Sequence, residues 1–338
     1  MTIRIVENLE ALMEVKDPAI RVVKHEGLSH ADDVCAVAMI SAVEGKDVYV
    51  LRTRDRKVLE EALQDGGTFV LDVGGEFNPD LLNFDHHFKP VPTNGDGEVL
   101  SSFGMVCDYL KVERCDFVRH VDAVDNGSRD HDCPQWWPIL PTDRDKPSVA
   151  WVVHNSAPAH VDGSPVTKEE FDQRFADMAN HMAQLFSWDG SVVGPSILQN
   201  PAEWVKQWCL WIANNEEAKK ASVVRVESAL EGKEGALLVL DQFEGGAFDV
   251  VAALPESHPI RFLVFPGTSG WMVQQVAVAP GSFQGRKQLP EAWAGLRDEA
   301  FQDATGVSDG IFCHPGRFVC GAKSREGAVR LAQMAVEA

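Results

Sequence analysis

The chain has 338 residues, 45% hydrophobic and 24% charged, a globular composition with enough length for a large core and two lobes. Its formal net charge of −20 repels phosphate backbones at long range and argues against tight binding of long duplex DNA. Short oligonucleotides and small nucleotides stay open, because metal ions and a local basic pocket can reverse the field.

In chain order, residues 1–16 mix acidic and apolar side chains without the basic-then-apolar order of a secretory signal. Segments 20–24, 48–52 and 69–73 read as short buried strands. Segments 32–42, 54–64, 101–110 and 114–125 read as helices. Their alternation predicts a mostly parallel sheet covered by helices on both faces. Residues 130–165, rich in Pro and turn formers, read as an irregular connection. Thr167 is a helix cap with Glu170 at the capping-box position, and the helix runs to about 185. A loop follows over 187–201. Residues 204–231 read as a further helix, with Trp204, Trp208 and Trp211 at i, i+4, i+7 as a core face. Strands return at 236–240, 260–265 and 272–278, and the last helix begins near Ser324. No apolar run approaches the roughly 18 residues of a membrane span. Seven scattered Cys without a Cys-x-x-Cys pair suit a reducing compartment, and a cytoplasmic location is expected.

Four segments place His or Asp at a strand end or a helix start, where ligands gather in doubly wound sheets. His25, His30 and Asp32 surround the tight turn at Gly27; imidazole with carboxylate suits Mn, Zn, Fe or Co better than Ca. The same residues also read as an N-cap Asp with two surface His. Asp72 ends an apolar strand before Gly74 and Gly75, either metal-bound or simply forming the turn. Asp85-His86-His87 offers one imidazole for metal, a carboxylate to hold a ring tautomer, and a second imidazole for acid catalysis or phosphate contact; a surface His pair is the alternative. Asp122 and Asp125 lie three apart on one helix face before Asn126-Gly127, around a cation or as a solvated acidic helix end. Together these residues could hold two metals through a shared carboxylate.

Near the C-terminus, Gly321, Lys323, Ser324 and Arg325 read as a loop entering a helix, able to bind an anion through backbone N–H groups and two cations. A plain capped surface helix fits the same residues. Arg286 and Lys287 form a small basic pair, and His314 follows a strand-like 311–313.

These motifs resemble the Myg family (melanocyte proliferating gene protein family) within the DHH phosphoesterases. The family's opening motif, Thr-His-Asn-Gly-x-Phe-His-x-Asp-Glu, corresponds here to Lys24-His25-Glu26-Gly27-Leu28-Ser29-His30-Ala31-Asp32-Asp33. Arg52-Thr53-Arg54-Asp55, Asp72-Val73-Gly74-Gly75, Asp85-His86-His87, Leu100-Ser101-Ser102 and Asp122-Ala123-Val124-Asp125-Asn126-Gly127 follow in the family's order. Arg286-Lys287-x-Leu289-Pro290 and Lys323-Ser324-Arg325-Glu326-Gly327 continue the likeness. Glu26, Ser29 and Asp33 replace Asn, Phe and Glu, and Glu26 adds negative charge at the mouth of the site.

The resemblance implies an α/β fold: a DHH-type N-terminal lobe with a mostly parallel sheet flanked by helices, and a smaller α+β C-terminal lobe over the cleft. The expected boundaries are 1–165 for the catalytic lobe, 166–234 for a helical connecting region and 235–338 for the substrate lobe. It implies two divalent ions, Mn²⁺ first with Zn²⁺, Mg²⁺ or Co²⁺ as alternatives. Their ligands would be His25, His30, Asp32, Asp72, His86 and Asp122, with Asp125 as second candidate. Asp85, His86 and His87 would be catalytic, and Arg54, Arg286, Lys287, His314, Gly321, Lys323, Ser324 and Arg325 would meet substrate. The implied activity is metal-dependent phosphodiester hydrolysis, as a 3′–5′ exonuclease on single-stranded RNA or short oligonucleotides. A phosphodiesterase for small or cyclic nucleotides and a non-catalytic nucleotide-binding protein are the alternatives. No membrane partner is expected, and homo-oligomerisation stays open.

Overall fold

The structure, a computed structural model, describes residues 1–88, 90–127, 149–186, 201–267, 270–280, 282 and 284–338. These form two compact units. One comprises Met1–Pro158 with Val166–Ala213, the other Ala159–Pro165 with Asn214–Ala338.

The first unit contains strands β1 (Ile3–Val6), β2 (Ile20–Lys24), β3 (Val48–Arg52), β4 (Thr68–Leu71), β5 (Phe77–Asn78) and β6 (Asn83–Phe84). Its helices are α1 (Leu9–Met13), α2 (Ala31–Glu44), α3 (Arg56–Asp65), α4 (Ser102–Tyr109), α5 (Asp116–Asp125), α6 (Val149–Asn155) and α7 (Lys168–Leu185), followed by the first part of α8 (Pro201–Leu230). The sheet order is β1-β3-β2-β4-β6-β5, parallel except for β5 against β6. The α/β class and parallel sheet expected from the alternating pattern are thus what the chain adopts.

Period-two alternation makes this sheet doubly covered. Val22, Val50, Phe69 and Leu71 face one core with α2, α4, α5, α6 and α7. Val23, Leu51 and Val70 face the other with Leu12 of α1 and Ala62 of α3. Helix α2 is buried from Ala31 to Ala42 and wholly apolar from Val34 to Ile40, as a helix buried on every side must be along its middle turns.

The strands β2 and β3 fall where the apolar runs place them. β4 stops at Leu71, two residues early, because Asp72 turns into the left-handed region at φ 56°. α3 starts at Arg56 because Asp55 caps it, accepting from Lys57 N at 2.9 Å. Thr167 and Glu170 form the expected capping box of α7. The irregular connection expected over 130–165 is corrected in part: Val149–Asn155 is helical because Val149, Val152 and Val153 bury one face. Residues 128–148 of that connection, and 187–200 of the expected loop, lie outside the described residues. Trp208 and Trp211 are buried as a core face; the Trp204 side chain lies outside the description.

The second unit holds β7 (Leu237–Val239), β8 (Phe262–Gly267), β9 (Gly270–Gln275), β10 (Gly310–Cys313) and β11 (Val319–Ala322), with α9 (Ala247–Ala253), α10 (Asp298–Thr305) and α11 (Arg325–Glu337). The sheet order is β10-β11-β9-β8-β7, antiparallel except for β7 with β8. Phe262 and Val264 face α10 and α11, while Leu263 and Phe265 face α9 and Val226 of α8. β9 begins two residues before the expected position because its hairpin with β8 closes at the Gly267–Gly270 pair.

Candidate metal centre

The sheet register explains why distant motifs meet. Lys24, at the end of β2, is level with Arg52 of β3 and Leu71 of β4, and Leu71 is level with Phe84 of β6. The next residues, His25, Asp72 and Asp85, therefore emerge side by side at the carboxyl edge of the sheet, where open α/β sheets place their ligands. Gly27, at φ 87°, turns the chain back within a few residues so that α2 can start with Asp32 and Asp33 in its first turn, where the helix dipole favours carboxylates.

Three sets of side chains could each hold a cation: His25, His30, Asp33 and Asp72; Asp72, His86 and His87; and His30, Asp32 and Asp125. Asp72 joins the first two. Its Oδ2 lies 3.0 Å from His25 Nε2, and its Oδ1 lies 3.3 Å from His86 Nε2 and 3.2 Å from His87 Nδ1. One carboxylate thus presents its two oxygens to two groups, the arrangement of a bridging ligand.

The polar chemistry of the cluster calls for positive charge. His25 Nδ1 lies 2.8 Å from the Glu26 carbonyl, which can only accept, so the ring proton sits on Nδ1. Nε2 then turns a lone pair toward Asp33 Oδ2 and Asp72 Oδ2, both 3.0 Å away. Asp33 Oδ2, Asp72 Oδ2 and this ring nitrogen meet there, with Lys24 paired to Asp33. Both oxygens of Asp32 are buried and accept no hydrogen bond from any described group. Burial, with Asp125 and Asp72 nearby, pushes the Asp32 carboxyl well above its ordinary range. At His86, burial opposes charging, but Asp125 and Asp72 outweigh it and raise the imidazole to about 11. Unpaired buried carboxylates are costly unless a cation joins them. Imidazole and carboxylate donors around these orphaned oxygens fit divalent transition-type ions.

Asp85 serves its neighbours. Its Oδ1 accepts from His87 N at 3.0 Å and faces His87 Nδ1 at 2.9 Å, and its Oδ2 accepts from Gly75 N at 2.7 Å. It fixes His87, whose side chain is half exposed, to the Gly74-Gly75 turn. His86 Nε2 lies 2.9 Å from Asp125 Oδ2.

Asp122, expected among the ligands, is in none of the three candidate sets. Its buried carboxylate accepts from Ser101 N at 2.9 Å, Ser101 Oγ at 2.6 Å and Gly104 N at 3.0 Å, and pairs with Arg114 at 2.7 Å. Ser101 and Gly104 supply its Oδ1 and Arg114 ion-pairs with its Oδ2, outside the three candidate sets, while Asp125 faces His86. A Cβ on Gly104 would stand 2.3 Å from Asp122 Oδ2, so only glycine lets α4 accept this carboxylate.

Three residues escaped sequence reasoning. Asp33 joins the first set and forms an ion pair with the fully buried Lys24. Burial lowers Lys24 to about 8 against the pull of Asp33. Arg52 is also buried, bonded to Gly27 O and, at 2.8 Å, to Asp172. Lys24 and Arg52 both lie over the Phe175 ring. The available signal was a charged residue closing each of two apolar strands, which cannot be buried without a partner.

In the second unit most of the expected substrate residues are engaged within the protein itself. Arg286 donates to Ala252 O at 3.2 Å, Leu254 O at 2.5 Å, Pro255 O at 3.1 Å and Ala277 O at 3.2 Å, closing the C-terminus of α9. Lys287 donates to Val336 O at 2.7 Å near the end of α11. Both satisfy carbonyls that a helix end leaves open. Ser324 caps α11, accepting from Gly327 N at 3.0 Å, while Asp309 Oδ2 accepts from Ser324 N at 2.7 Å and Ser324 Oγ at 2.5 Å. An internal carboxylate thus stands where an external anion was expected. His314 Nδ1 accepts from Gly316 N at 2.9 Å, Gly321 is buried in β11, and Arg325 lies over Trp271. Lys323 is exposed, as is Arg54 in the first unit.

The MYG1_exonuc family model, described as an uncharacterised protein family (UPF0160), matches residues 21–114 and 109–336. The MYG1 protein of Schizosaccharomyces pombe is 25% identical over 348 residues, covering 94% of this chain and 98% of the relative. The MYG1 exonuclease of Rattus norvegicus is 29% identical over 351 residues, covering 93% and 84%. Among solved structures, the pGpG-specific phosphodiesterase PggH from Vibrio cholerae aligns over 94% of this chain and 98% of its own, with TM-score 0.46 and 16% identity. With the family model spanning almost the whole length, and each of the four His/Asp motifs inside the matched residues, this chain belongs to the MYG1 family that its motifs resemble.

Proposed function

We propose that this protein is a metal-dependent phosphodiester hydrolase that removes nucleotides from the 3′ end of single-stranded RNA or short oligonucleotides. The observation that carries the reading is Asp72, buried between His25 on one side and His86 with His87 on the other. Relatives that bear the name MYG1 exonuclease support the reaction class. The ligands would be His25, His30, Asp32, Asp33, Asp72, His86 and Asp125 around two divalent ions, with Mn²⁺ the first candidate.

Bound there, such ions would polarise the phosphodiester and make water nucleophilic near neutral pH. The chain's own groups do the remaining work. Asp85 holds the half-exposed His87 through its backbone N and Nδ1, leaving Nε2 to donate a proton toward a leaving oxygen. Lys24, paired with Asp33, keeps one carboxylate of the crowded set ionised and in place. The net charge of −20 favours short substrates over long polyanions. Six described thiols are free, which suits a reducing compartment such as the cytoplasm.

Assay of purified protein with Mn²⁺ on single-stranded RNA, beside dinucleotides and cyclic dinucleotides, tests this. Mononucleotide release from RNA, abolished by chelator, is the expected result. Internal fragments alone would refute exonuclease action. Exclusive cleavage of the small nucleotides would shift the substrate class, and return of every substrate unchanged would favour a binding protein.

A further inference from the structure

We infer that Asn126 is a positioning residue that fixes the tautomer and orientation of His86; this rests on the reading of His86 as a metal ligand. Asn126 follows the last turn of α5, and its backbone N and Nδ2 both donate to Asp122 O, at 3.1 and 2.9 Å. With the amide nitrogen committed, Oδ1 is the atom that faces His86 Nδ1, at 3.3 Å. An amide oxygen only accepts, so the ring proton of His86 belongs on Nδ1. Nε2 is the ring nitrogen left to face Asp125 Oδ2 and Asp72 Oδ1, 2.9 and 3.3 Å away, and it becomes a ligating lone pair once a bound cation displaces the proton that those carboxylates otherwise hold on it.

The same device operates at His25, where the Glu26 backbone carbonyl faces Nδ1 at 2.8 Å. One imidazole of the site is therefore oriented by main chain and the other by a side chain, and only the second can be removed by substitution. Asn126 is itself held rigidly. The residue whose carbonyl it grips, Asp122, is locked by Ser101, Gly104 and Arg114. The buried Arg114–Asp122 pair, which binds no candidate set directly, thereby reaches the site through Asn126. Partners of this kind set both the direction and the basicity of a ligating ring.

The test is calorimetric titration of chelator-stripped protein with MnCl₂ and CoCl₂, with ¹⁵N spectra of the His86 ring. Asn126→Ala is expected to bind roughly 10–100-fold more weakly and to lose the fixed Nδ1–H tautomer, whereas Asn126→Asp, which keeps an acceptor for Nδ1, stays within about 3-fold of the parent or binds tighter. Equal binding and an unchanged tautomer in Asn126→Ala would overturn the inference. So would equal weakening in both variants together with lower thermal stability, which would mark Asn126 as a helix cap only. His86→Ala separates the two levels. If it binds cations as the parent does, or if the parent binds none, the ligand reading falls and takes this inference with it. If His86→Ala is impaired while Asn126→Ala is not, the Asn126 inference alone is lost.

Discussion

At the residue scale, the account turns on which carboxylates lack hydrogen-bond donors. Neither buried oxygen of Asp32 accepts a hydrogen bond from a described group and Asp72 faces imidazoles, whereas Asp122 Oδ1 is supplied by Ser101 and Gly104 and its Oδ2 is ion-paired with Arg114. The two kinds should therefore respond in opposite ways. His86→Ala should lower turnover by about two orders of magnitude or more while leaving the thermal transition nearly unchanged, since on the proposed reading it deletes a ligand and not a core contact. Asp122→Ala should instead cost roughly 3–5 kcal/mol of stability, because it strands Arg114 in a buried setting, and should still reach the parent's metal count at saturating ion, whatever affinity it loses through Asn126. Thermal melts and metal analysis of the two purified variants check both. Loss of metal without loss of stability in Asp122→Ala would restore it as a ligand.

At the scale of elements, helix ends decide which charged side chains are available. Arg286 stands in a basic pair that the sequence offers as a substrate contact, yet its guanidinium is spent on the carbonyls that end α9. Arg286→Ala should then lower stability by about 1–3 kcal/mol, from several lost bonds to carbonyls that are partly buried or exposed, with KM unaltered; a raised KM at constant stability would contradict this. Much of the first unit was legible in the sequence because parallel strands buried on both faces leave compact apolar runs. β2 and β3 coincide with theirs, and the capping pair Thr167 with Glu170 marks the start of α7. Weak signals hid other elements. β1 buries little, and β5 and β6 are two residues each. Within the candidate site, the motifs pointed to His25, Asp72 and His86, which lie next to strand ends and fall in the candidate sets. The choice between Asp122 and Asp125, and the roles of Lys24, Arg52 and Asp33, depend on which side chain meets which donor across the sheet. Spacing on a single helix face cannot supply that.

At the scale of the whole molecule, the charge of −20 should set how substrate length and salt interact. Raising ionic strength from about 50 to 200 mM screens the long-range repulsion, so KM for a long single-stranded RNA should fall relative to KM for a dinucleotide. A ratio that rises steeply with salt would point to an extended basic track. The central claim concerns the centre itself, and metal stoichiometry tests it most directly. Native mass spectrometry of chelator-stripped protein titrated with Mn²⁺ should show two ions per chain, and Asp72→Asn should retain fewer. No saturable binding, or the same two ions in Asp72→Asn, would contradict it.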